Sequence, residues 1–164
     1  MKVIATELPD VLILEPKVFG DERGFFYESF NARAFEEATG LAPQFVQDNH
    51  SRSRRGTLRG IHFQTHPGQG KLVRVARGRV LDVVVDLRRG SPTFGEWEAV
   101  ELYDEHGHQL YIPVGFGHGF CVISETADFV YKCTAYYDAA TESGISFADP
   151  DVGIEWPRAV ELLY

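Results

Sequence analysis

Cysteine is scarce in this chain, and its scarcity excludes two classes of small protein. Only Cys121 and Cys133 occur among the 164 residues, and no Cys-x-x-Cys spacing is present. A disulfide framework or a cysteine-based zinc site needs more cysteines at closer spacing. We therefore expect two ordinary buried thiols in a reducing compartment.

Long apolar runs and an excess of positive charge are also missing. No segment approaches the roughly 20 apolar residues of a membrane span, and the N-terminus lacks the apolar stretch of a signal peptide. The formal net charge of −8 argues against a general nucleic-acid binder, which carries a basic footprint. A cytoplasmic protein with no membrane or nucleic-acid partner is expected. A small anionic ligand stays possible at a local group of arginines: Arg52, Arg54, Arg55 and Arg59.

Glycine, proline and aromatic residues are plentiful, and their distribution predicts strands. Twelve Phe and seven Tyr favour strands over helices, and the 16 Gly and eight Pro are scattered as turn residues. Short strand-like runs separated by turns are typical of an antiparallel sandwich or barrel. The predicted strands cover residues 11–14, 24–30, 44–49, 57–64, 71–76, 79–87, 97–102, 109–112, 119–123, 129–135 and 144–147.

One short helix is predicted over residues 32–39. Asn31 is a suitable N-cap for it, and Gly40 stands where a C-cap glycine belongs. Nothing else along the chain marks a domain boundary or an internal repeat. Residues 1–164 are therefore expected to form a single domain, large enough to bury a core without staples.

The run from Arg79 to Arg88 alternates in an informative way. One face carries Leu81, Val83, Val85 and Leu87, and the other carries Val80, Asp82, Val84 and Asp86. A face on which Asp and Val alternate fits the lining of a polar cavity or an outer face in contact with solvent. The pattern alone does not decide between them.

The segment LRGIHFQ at residues 58–64 holds the first histidine of chemical interest. In a regular strand Arg59 and His62 point to opposite faces, because the side-chain period is two. Gly60 lies between them and tolerates a bulge, which would bring both side chains into one cavity. A histidine that is merely hydrogen-bonded in the core is the other interpretation of these residues taken alone.

The remaining histidines give two further places to look. His118 lies among three glycines. Either the glycines bring the backbone close to a group that the ring contacts, or the segment is a glycine-rich turn in which the histidine has no role. His106 and His108 form a His-x-His pair, an arrangement that can bind a metal. Their neighbours predict a solvated hairpin tip, so no metal is expected there.

Single residues are weak indicators, but their combination is specific. Taken alone, Lys71 fits a surface charge and Tyr131 fits a core tyrosine. Together with the histidines they belong to a series of motifs in fixed order. The series is GDERGFFYESF at 20–30, FVQDNHS at 45–51, LRGIHFQ at 58–64, GKLVR at 70–74, DVVVDLR at 82–88, SPTFG at 91–95, IPVGFGHGF at 112–120, FVYK at 129–132, DP at 149–150 and WP at 156–157. In order and spacing it resembles the dTDP-4-dehydrorhamnose 3,5-epimerase family, from about residue 2 to the end of the chain.

The resemblance implies a mainly β fold, a cupin-type antiparallel jelly-roll barrel with one or two short helices. It implies no metal or other cofactor, and a homodimer that exchanges N-terminal strands. The implied reaction converts dTDP-4-dehydro-6-deoxy-D-glucose into dTDP-4-dehydro-L-rhamnose by proton exchange at C3 and C5 through an enolate, in dTDP-L-rhamnose biosynthesis. His62 matches the general base, Tyr131 the general acid on the opposite face of the sugar, and Lys71 the group that stabilises the enolate oxygen.

The resemblance also implies a set of substrate-binding residues. Arg23 is expected to reach into the partner's site, and Asp82 to line the cavity near His118. In the family a carboxylate beyond the Trp-Pro motif orients the base. After Trp156 the only acidic residue here is Glu161, so we expect the family's C-terminal segment to be lacking. The full substrate-binding set is Arg23, Glu28, Gln47, Asp48 and Asn49 at the nucleotide, with Arg59, His118, Glu142 and Asp82 at the sugar.

Three alternatives stay open at this point. A C3-only epimerase of another dTDP-deoxysugar pathway shares these motifs. A non-catalytic barrel that binds a dTDP-sugar would also keep most of them. A metal-dependent cupin would use His62 and His118 together with His106 and His108.

Overall fold

Short antiparallel strands are the main secondary structure of the described chain. The computed structural model describes residues 1–158 and 161. The elements are β1 (Lys2–Ala5), β2 (Leu12–Glu15), β3 (Phe19–Asp21), β4 (Gly24–Phe26), α1 (Ala32–Thr39), β5 (Gln47–Arg54), β6 (Leu58–Gln64), β7 (Lys71–Arg77), β8 (Arg79–Asp86), β9 (Trp97–Tyr103), β10 (Gln109–Ile112), β11 (Phe116–Val122), β12 (Thr126–Cys133) and β13 (Glu142–Gly144).

The strands form two large sheets and one small hairpin. The six-stranded sheet has the order β1-β2-β10-β7-β12-β5, the five-stranded sheet β13-β6-β11-β8-β9, and β3 pairs with β4 alone. Apolar side chains from the inner faces of both large sheets form the main core, with Val73 and Val75 from β7 meeting Val80 and Val84 from β8. The predicted mainly β jelly-roll class is confirmed.

The helix α1 begins and ends where the sequence predicts. The Asn31 side chain accepts a hydrogen bond from the backbone N–H of Ala34 at 3.1 Å, and Gly40 adopts a left-handed conformation with φ 73°. Phe35 is buried against the outer face of the six-stranded sheet, next to Leu72 and Tyr111. Within the described part of the chain, no helix combines the length and apolar character needed to cross a membrane.

Both faces of β8 are buried, so the face on which Asp and Val alternate is not an outer face in contact with solvent. Val80, Asp82 and Val84 point into the interior between the sheets. The outward face, with Val83 and Val85, packs against a segment after β13 that includes Ile145, Ile154 and Trp156. The face that alternates Asp and Val therefore points inward.

The glycine-rich stretch around His118 is a strand, whereas a turn was one interpretation of the sequence. Strand β11 starts at Phe116 and is buried throughout. A Cβ on Gly117 would lie 2.7 Å from a methyl group of Ile61, and one on Gly119 would lie 2.7 Å from the Arg59 carbonyl oxygen. Glycine is required here because β6 and β11 approach too closely for side chains. Strands β1 and β3 were missed because they are only four and three residues long, and the second half of β5 was missed because it is polar.

The bulge predicted at Gly60 is present and changes which side chains share a face. His118 pairs with His62, and Phe120 pairs with Arg59. Two residues of β6, Gly60 and Ile61, therefore lie opposite the single residue Gly119, which is the geometry of a β-bulge. The extra residue shifts the alternation by one, so Arg59 and His62 face the same cavity.

Replacing Gly119 by alanine is expected to damage this bulge. The new Cβ would meet the Arg59 carbonyl oxygen at 2.7 Å and the Gly60 Cα at 3.1 Å, and backbone atoms cannot move aside cheaply. We expect the free energy of unfolding, measured by urea denaturation, to fall by about 1–3 kcal/mol. Gly20→Ala is the control, because its Cβ would meet nothing closer than 3.8 Å. Equal stability of the two variants would contradict the close approach of β6 and β11.

A buried carboxylate ties down the end of β8. Both oxygens of Asp86 accept hydrogen bonds from Arg88, and one oxygen also accepts from the Ser91 hydroxyl at 2.6 Å and the Thr93 hydroxyl at 2.5 Å. Arg88 also donates to Asp10 at 2.8 Å. Burial alone would raise the pKa of Asp86, but these hydrogen bonds outweigh it and hold the pKa well below its usual range.

The Asp86 network makes a prediction about acid stability. Asp86→Asn is expected to lower the free energy of unfolding at pH 7 by about 1.5–3 kcal/mol, the range for hydrogen bonds to charged groups. A folded-state pKa below the unfolded value of about 3.9 stabilises the protein above that pH and loses its effect below it. The difference from the unchanged chain should therefore shrink as the pH falls below about 4. Denaturation curves across pH measure it, and Glu105→Gln at an exposed position serves as the control. A difference that stays constant down to low pH would contradict the assignment.

Candidate active site

Polar side chains from both large sheets line one cavity of about 700 Å³. The stacked rings of Phe120 and Phe129, with centroids 4.0 Å apart, contribute its apolar part. The volume lies within the usual range for small-molecule sites. Arg59, His62 and His118 line it from the five-stranded sheet, and Gln47, Asn49, Lys71 and Tyr131 line it from the six-stranded sheet. Tyr137 and Glu142 are among its other polar residues.

His62 faces a carboxylate from the neighbouring strand. Its Nδ1 lies 3.6 Å from Oε1 of Glu142, and the Tyr137 hydroxyl donates a hydrogen bond to the other oxygen of Glu142 at 2.6 Å. Burial lowers the pKa of His62, Glu142 opposes that shift, and the positive field of Lys71 adds to it. The imidazole is therefore mostly neutral at pH 7 and able to accept a proton.

His118 rests on a carboxylate buried behind it. Its Nε2 lies 2.8 Å from Oδ2 of Asp82, and both side chains are almost completely buried. Burial raises the pKa of Asp82, while His118 and Lys71 act in the opposite direction. Asp82 does not line the cavity as the sequence predicted. It lies one layer deeper, with no exposed surface, and acts on the cavity through His118.

Lys71 and Tyr131 come from adjacent strands on the opposite wall. The Lys71 ammonium lies 5.8 Å from the centre of the Tyr131 ring. Burial lowers the pKa of Lys71 and raises the pKa of Tyr131. A phenol with a raised pKa stays protonated at neutral pH, so Tyr131 carries a proton that it can donate.

The three residues 47–49 do not share a face. Gln47 and Asn49 line the cavity, whereas Asp48 points to the outer face of the sheet, as the period of two in β5 requires. There the Lys132 ammonium pairs with Asp48 at 3.0 Å. Asp48 therefore does not join its neighbours at this cavity.

Of the four arginines that the sequence grouped together, only Arg59 lines the cavity. Its Nε donates to the Ser53 hydroxyl at 3.1 Å, which orients the guanidinium group. Arg52 instead pairs with Asp128 at 2.6 Å. Because Arg52 and Arg59 lie on different strands and faces, their proximity in sequence does not make one anion site.

Arg23 and Glu28 lie outside the cavity of their own chain. Arg23 forms an ion pair with Asp21 in the β3–β4 hairpin, and Glu28 accepts a hydrogen bond from the Asn31 amide at 3.1 Å. Neither residue is among those that line the cavity. Within their own chain, neither side chain reaches the cavity.

The His106 and His108 rings stack on each other with centroids 3.8 Å apart and do not line the cavity. Among residues 1–158 and 161, no group of three or more His, Cys, Asp or Glu side chains is arranged to hold a metal ion. Cys121 and Cys133 are both free and buried, as predicted, and burial raises the pKa of Cys133 to about 11.

Several residues at the cavity were missed from the sequence, among them Tyr137 and Gln64. Tyr137 lies in the loop before β13, where a Tyr-Tyr pair among polar residues was the only signal. Gln64 lines the cavity and accepts from the Asp138 backbone N–H at 3.3 Å. The family's orienting carboxylate was not expected within this chain. After Trp156 the one acidic residue, Glu161, is exposed, and residues 159–160 and 162–164 lie outside the described residues.

Comparisons with known proteins agree with one another. The family model for dTDP-4-dehydrorhamnose 3,5-epimerase matches residues 5–163. The enzyme of that name from Shigella flexneri is 60% identical over 164 residues, which are 99% of this chain and 91% of that protein.

Solved structures place the same fold around a sugar nucleotide. The dTDP-6-deoxy-D-glucose-3,5-epimerase from Legionella pneumophila, in complex with dTDP-4-keto-L-rhamnose, is 54% identical and matches with a TM-score of 0.92 over 95% of this chain and 83% of its own. A 3'-monoepimerase from Streptomyces bikiniensis, in complex with dTDP-quinovose, is 39% identical, with a TM-score of 0.92 over 100% of this chain and 82% of its own. The motifs, the jelly-roll fold, the cavity and these matches together show that this chain belongs to the dTDP-4-dehydrorhamnose 3,5-epimerase family.

Proposed function

We propose that this chain epimerises dTDP-4-dehydro-6-deoxy-D-glucose at C3 and C5 to give dTDP-4-dehydro-L-rhamnose. The observation that carries the proposal is the position of His62 and Tyr131 on opposite walls of one cavity. Inverting a carbon requires that a proton leave from one face and another arrive at the opposite face. Two proton carriers on facing sheets supply that geometry, with a sugar ring between them.

His62 is the base in this proposal. The hydrogens at C3 and C5 are acidic because the carbanion left behind delocalises onto the C4 ketone oxygen. Burial keeps the pKa of His62 below its usual value, so the neutral imidazole is available at pH 7. Positioned acid–base catalysis of this kind contributes about 10²–10⁴-fold to a rate.

Lys71 and Tyr131 complete the proton transfer from the other wall. The Lys71 ammonium stabilises the negative charge that develops on the C4 oxygen, and a preorganised charge in a water-poor cavity is effective at this. Tyr131 returns a proton to the carbon from the face opposite His62. Its raised pKa keeps the phenol protonated until the enolate forms.

The remaining polar side chains of the cavity bind the nucleotide and the sugar of the substrate. Arg59 suits the diphosphate, because a guanidinium binds phosphate oxygens through paired hydrogen bonds. Gln47 and Asn49 contact the nucleotide from β5, and His118 and Glu142 contact the sugar. Asp82 supports His118 from outside the cavity, whereas Asp48 pairs with Lys132 on the outer face of the sheet.

A homodimer accounts for the position of Arg23 and Glu28. The β3–β4 hairpin is detached from both large sheets and exposes Phe19, Phe25 and Phe26, the last two by 65% and 68%. A second copy of the chain would cover these rings if N-terminal strands are exchanged, and Arg23 and Glu28 would then enter the partner's cavity. The enzyme is proposed to act as a single domain in the cytoplasm.

C3-only epimerisation is the second candidate, favoured by the match to a 3'-monoepimerase. Incubation with dTDP-4-dehydro-6-deoxy-D-glucose in deuterated water, followed by proton NMR, separates the two. Deuterium at both C3 and C5 is expected here. Deuterium at C3 alone would support the monoepimerase, and binding of dTDP without any exchange would support a non-catalytic barrel.

Two variants locate the chemistry in the same assay. His62→Ala is expected to abolish exchange at both carbons, because no base remains. Tyr131→Phe keeps the ring and the base but removes the proton donor, so inverted product should fall more than exchange does. His106→Ala, outside the cavity, is the control. Full exchange in His62→Ala would contradict the assigned base.

The dimer is tested by mixing two inactive variants. Arg23→Ala and His62→Ala each lack one part of the site, but a mixed dimer has one complete site if Arg23 serves the partner. We expect activity to reappear when the two proteins are mixed and allowed to exchange subunits. No recovery, in chains that co-purification through a tag on one variant shows to exchange, would mean that Arg23 serves its own chain. Sedimentation of Phe25→Ser, with Phe94→Ser at another exposed phenylalanine as control, tests whether the hairpin holds the dimer.

A further inference from the structure

Asn49 faces Tyr131 across the adjacent strands β5 and β12. In the antiparallel register Asn49 lies opposite Tyr131, and Gln47 lies opposite Cys133. Both Asn49 and Tyr131 line the cavity. Side chains directly opposite each other on one face of a sheet have Cβ atoms about 4.5–5.5 Å apart, close enough for their polar ends to meet. The register therefore places an amide beside the phenol that donates a proton in the proposed reaction.

A chain of hydrogen bonds fixes which way the Asn49 amide points. It starts at the backbone N–H of Tyr137, a group that can only donate, which donates to Oε1 of Gln47 at 3.0 Å. Because the Gln47 oxygen is used in this way, its Nε2 is the end that donates to Oδ1 of Asn49, at 3.1 Å. The oxygen and nitrogen of an amide have nearly the same shape, so the donor at the start of the chain decides their order. The Asn49 nitrogen therefore faces away from Gln47.

The Asn49 nitrogen faces a thiol and a phenol. Its Nδ2 donates to Sγ of Cys133 at 3.7 Å, and sulfur is a weak acceptor. Burial raises the pKa of Tyr131, and hydrogen bonding from Asn49 lowers it in part. An amide nitrogen carries two hydrogens, so Asn49 can serve both groups. The Tyr131 oxygen then accepts from Asn49, and its own O–H points elsewhere in the cavity.

We propose that Asn49 positions Tyr131 for proton donation, by donating to the phenol oxygen and so directing its O–H toward the sugar. The proposal rests on the proposed function for the role of Tyr131 as acid. When Tyr131 gives up its proton, the electron pair of the enolate forms the new C–H bond, the C4 ketone is restored, and the negative charge moves to the phenol oxygen. A donor already in place stabilises that charge without reorganisation. Asn49 is thus a positioning residue that acts through Tyr131.

The other groups around Tyr131 determine how a test of this proposal reads. Besides burial, Cys133 on β12 and Glu142 on β13 raise the pKa of Tyr131, and Arg59 on β6 lowers it. The Lys71 ammonium on β7 lies 5.8 Å from the centre of the ring. A substitution at position 49 leaves all four of these groups in place. A change in the pKa of Tyr131 therefore reports the lost hydrogen bond.

The direct test is a fluorine NMR titration of the ligand-free full chain containing 3-fluorotyrosine, in which Tyr131→Phe identifies the signal of Tyr131. Asn49→Leu has a similar shape but cannot donate, so it should raise the pKa of Tyr131. Asn49→Asp keeps the hydrogen bond from Gln47 and adds a negative charge, so it should raise that pKa further. The matched control is Ser51→Ala, at the next cavity-facing position of β5 and opposite Phe129, which should leave the pKa unchanged. An unchanged pKa in Asn49→Leu would overturn the proposal.

Kinetics give the second readout. In Asn49→Leu the kcat for inverted product should fall by about 10²-fold, the cost of misplacing a catalytic group. Deuterium exchange should fall less, because His62 is untouched. An equal loss of exchange and inversion would indicate general damage to the site, and a raised KM with unchanged kcat would mean that Asn49 only contacts substrate. Either result would overturn the proposal. Absence of turnover in the unchanged chain would contradict the proposed function instead, while the titration still decides whether Asn49 acts on Tyr131.

Discussion

The two large sheets pack tightly over part of their shared area and enclose an open cavity over the rest. This division between packed core and cavity determines the rest of the structure. Strand β7 shows both conditions on a single face. Val73 and Val75 point into the core, and Lys71, on the same face, points into the cavity. The apolar contacts hold the sheets at a fixed separation, and that separation sets the distance between the two proton carriers.

The same packing adjusts the chemistry of the cavity. Burial disfavours charge, so it lowers the pKa of His62 and Lys71 and raises the pKa of Tyr131. A neutral base and a protonated acid are the states that a proton transfer across a sugar ring needs at neutral pH. The glycines of β6 and β11 contribute to the cavity indirectly. They allow the two strands to approach closely at the bulge, and the bulge directs the Arg59 and His62 side chains into the same cavity.

The sequence predicted the features that depend on local periodicity and capping. The helix bounds, most strands and the Gly60 bulge follow from such rules, and the family resemblance supplied the site residues. What it missed depends on contacts between distant segments. The depth of Asp82 behind His118 comes from the pairing of β8 with β11, and the place of Tyr137 comes from the loop that returns to β6. The outward direction of Asp48 was accessible from the period of two, because the predicted strand at residues 44–49 already places Asp48 on the face opposite Gln47 and Asn49.

The proposed reaction requires the sugar ring to lie between His62 and Tyr131. A crystal structure of the chain with a dTDP-linked hexose that lacks the 4-keto group would measure this directly, since the ligand cannot react. We expect His62 Nε2 and the Tyr131 hydroxyl on opposite faces of the ring, each within about 3.5 Å of C3 or C5. Both groups on one face of the ring, or a sugar bound outside the cavity, would contradict it.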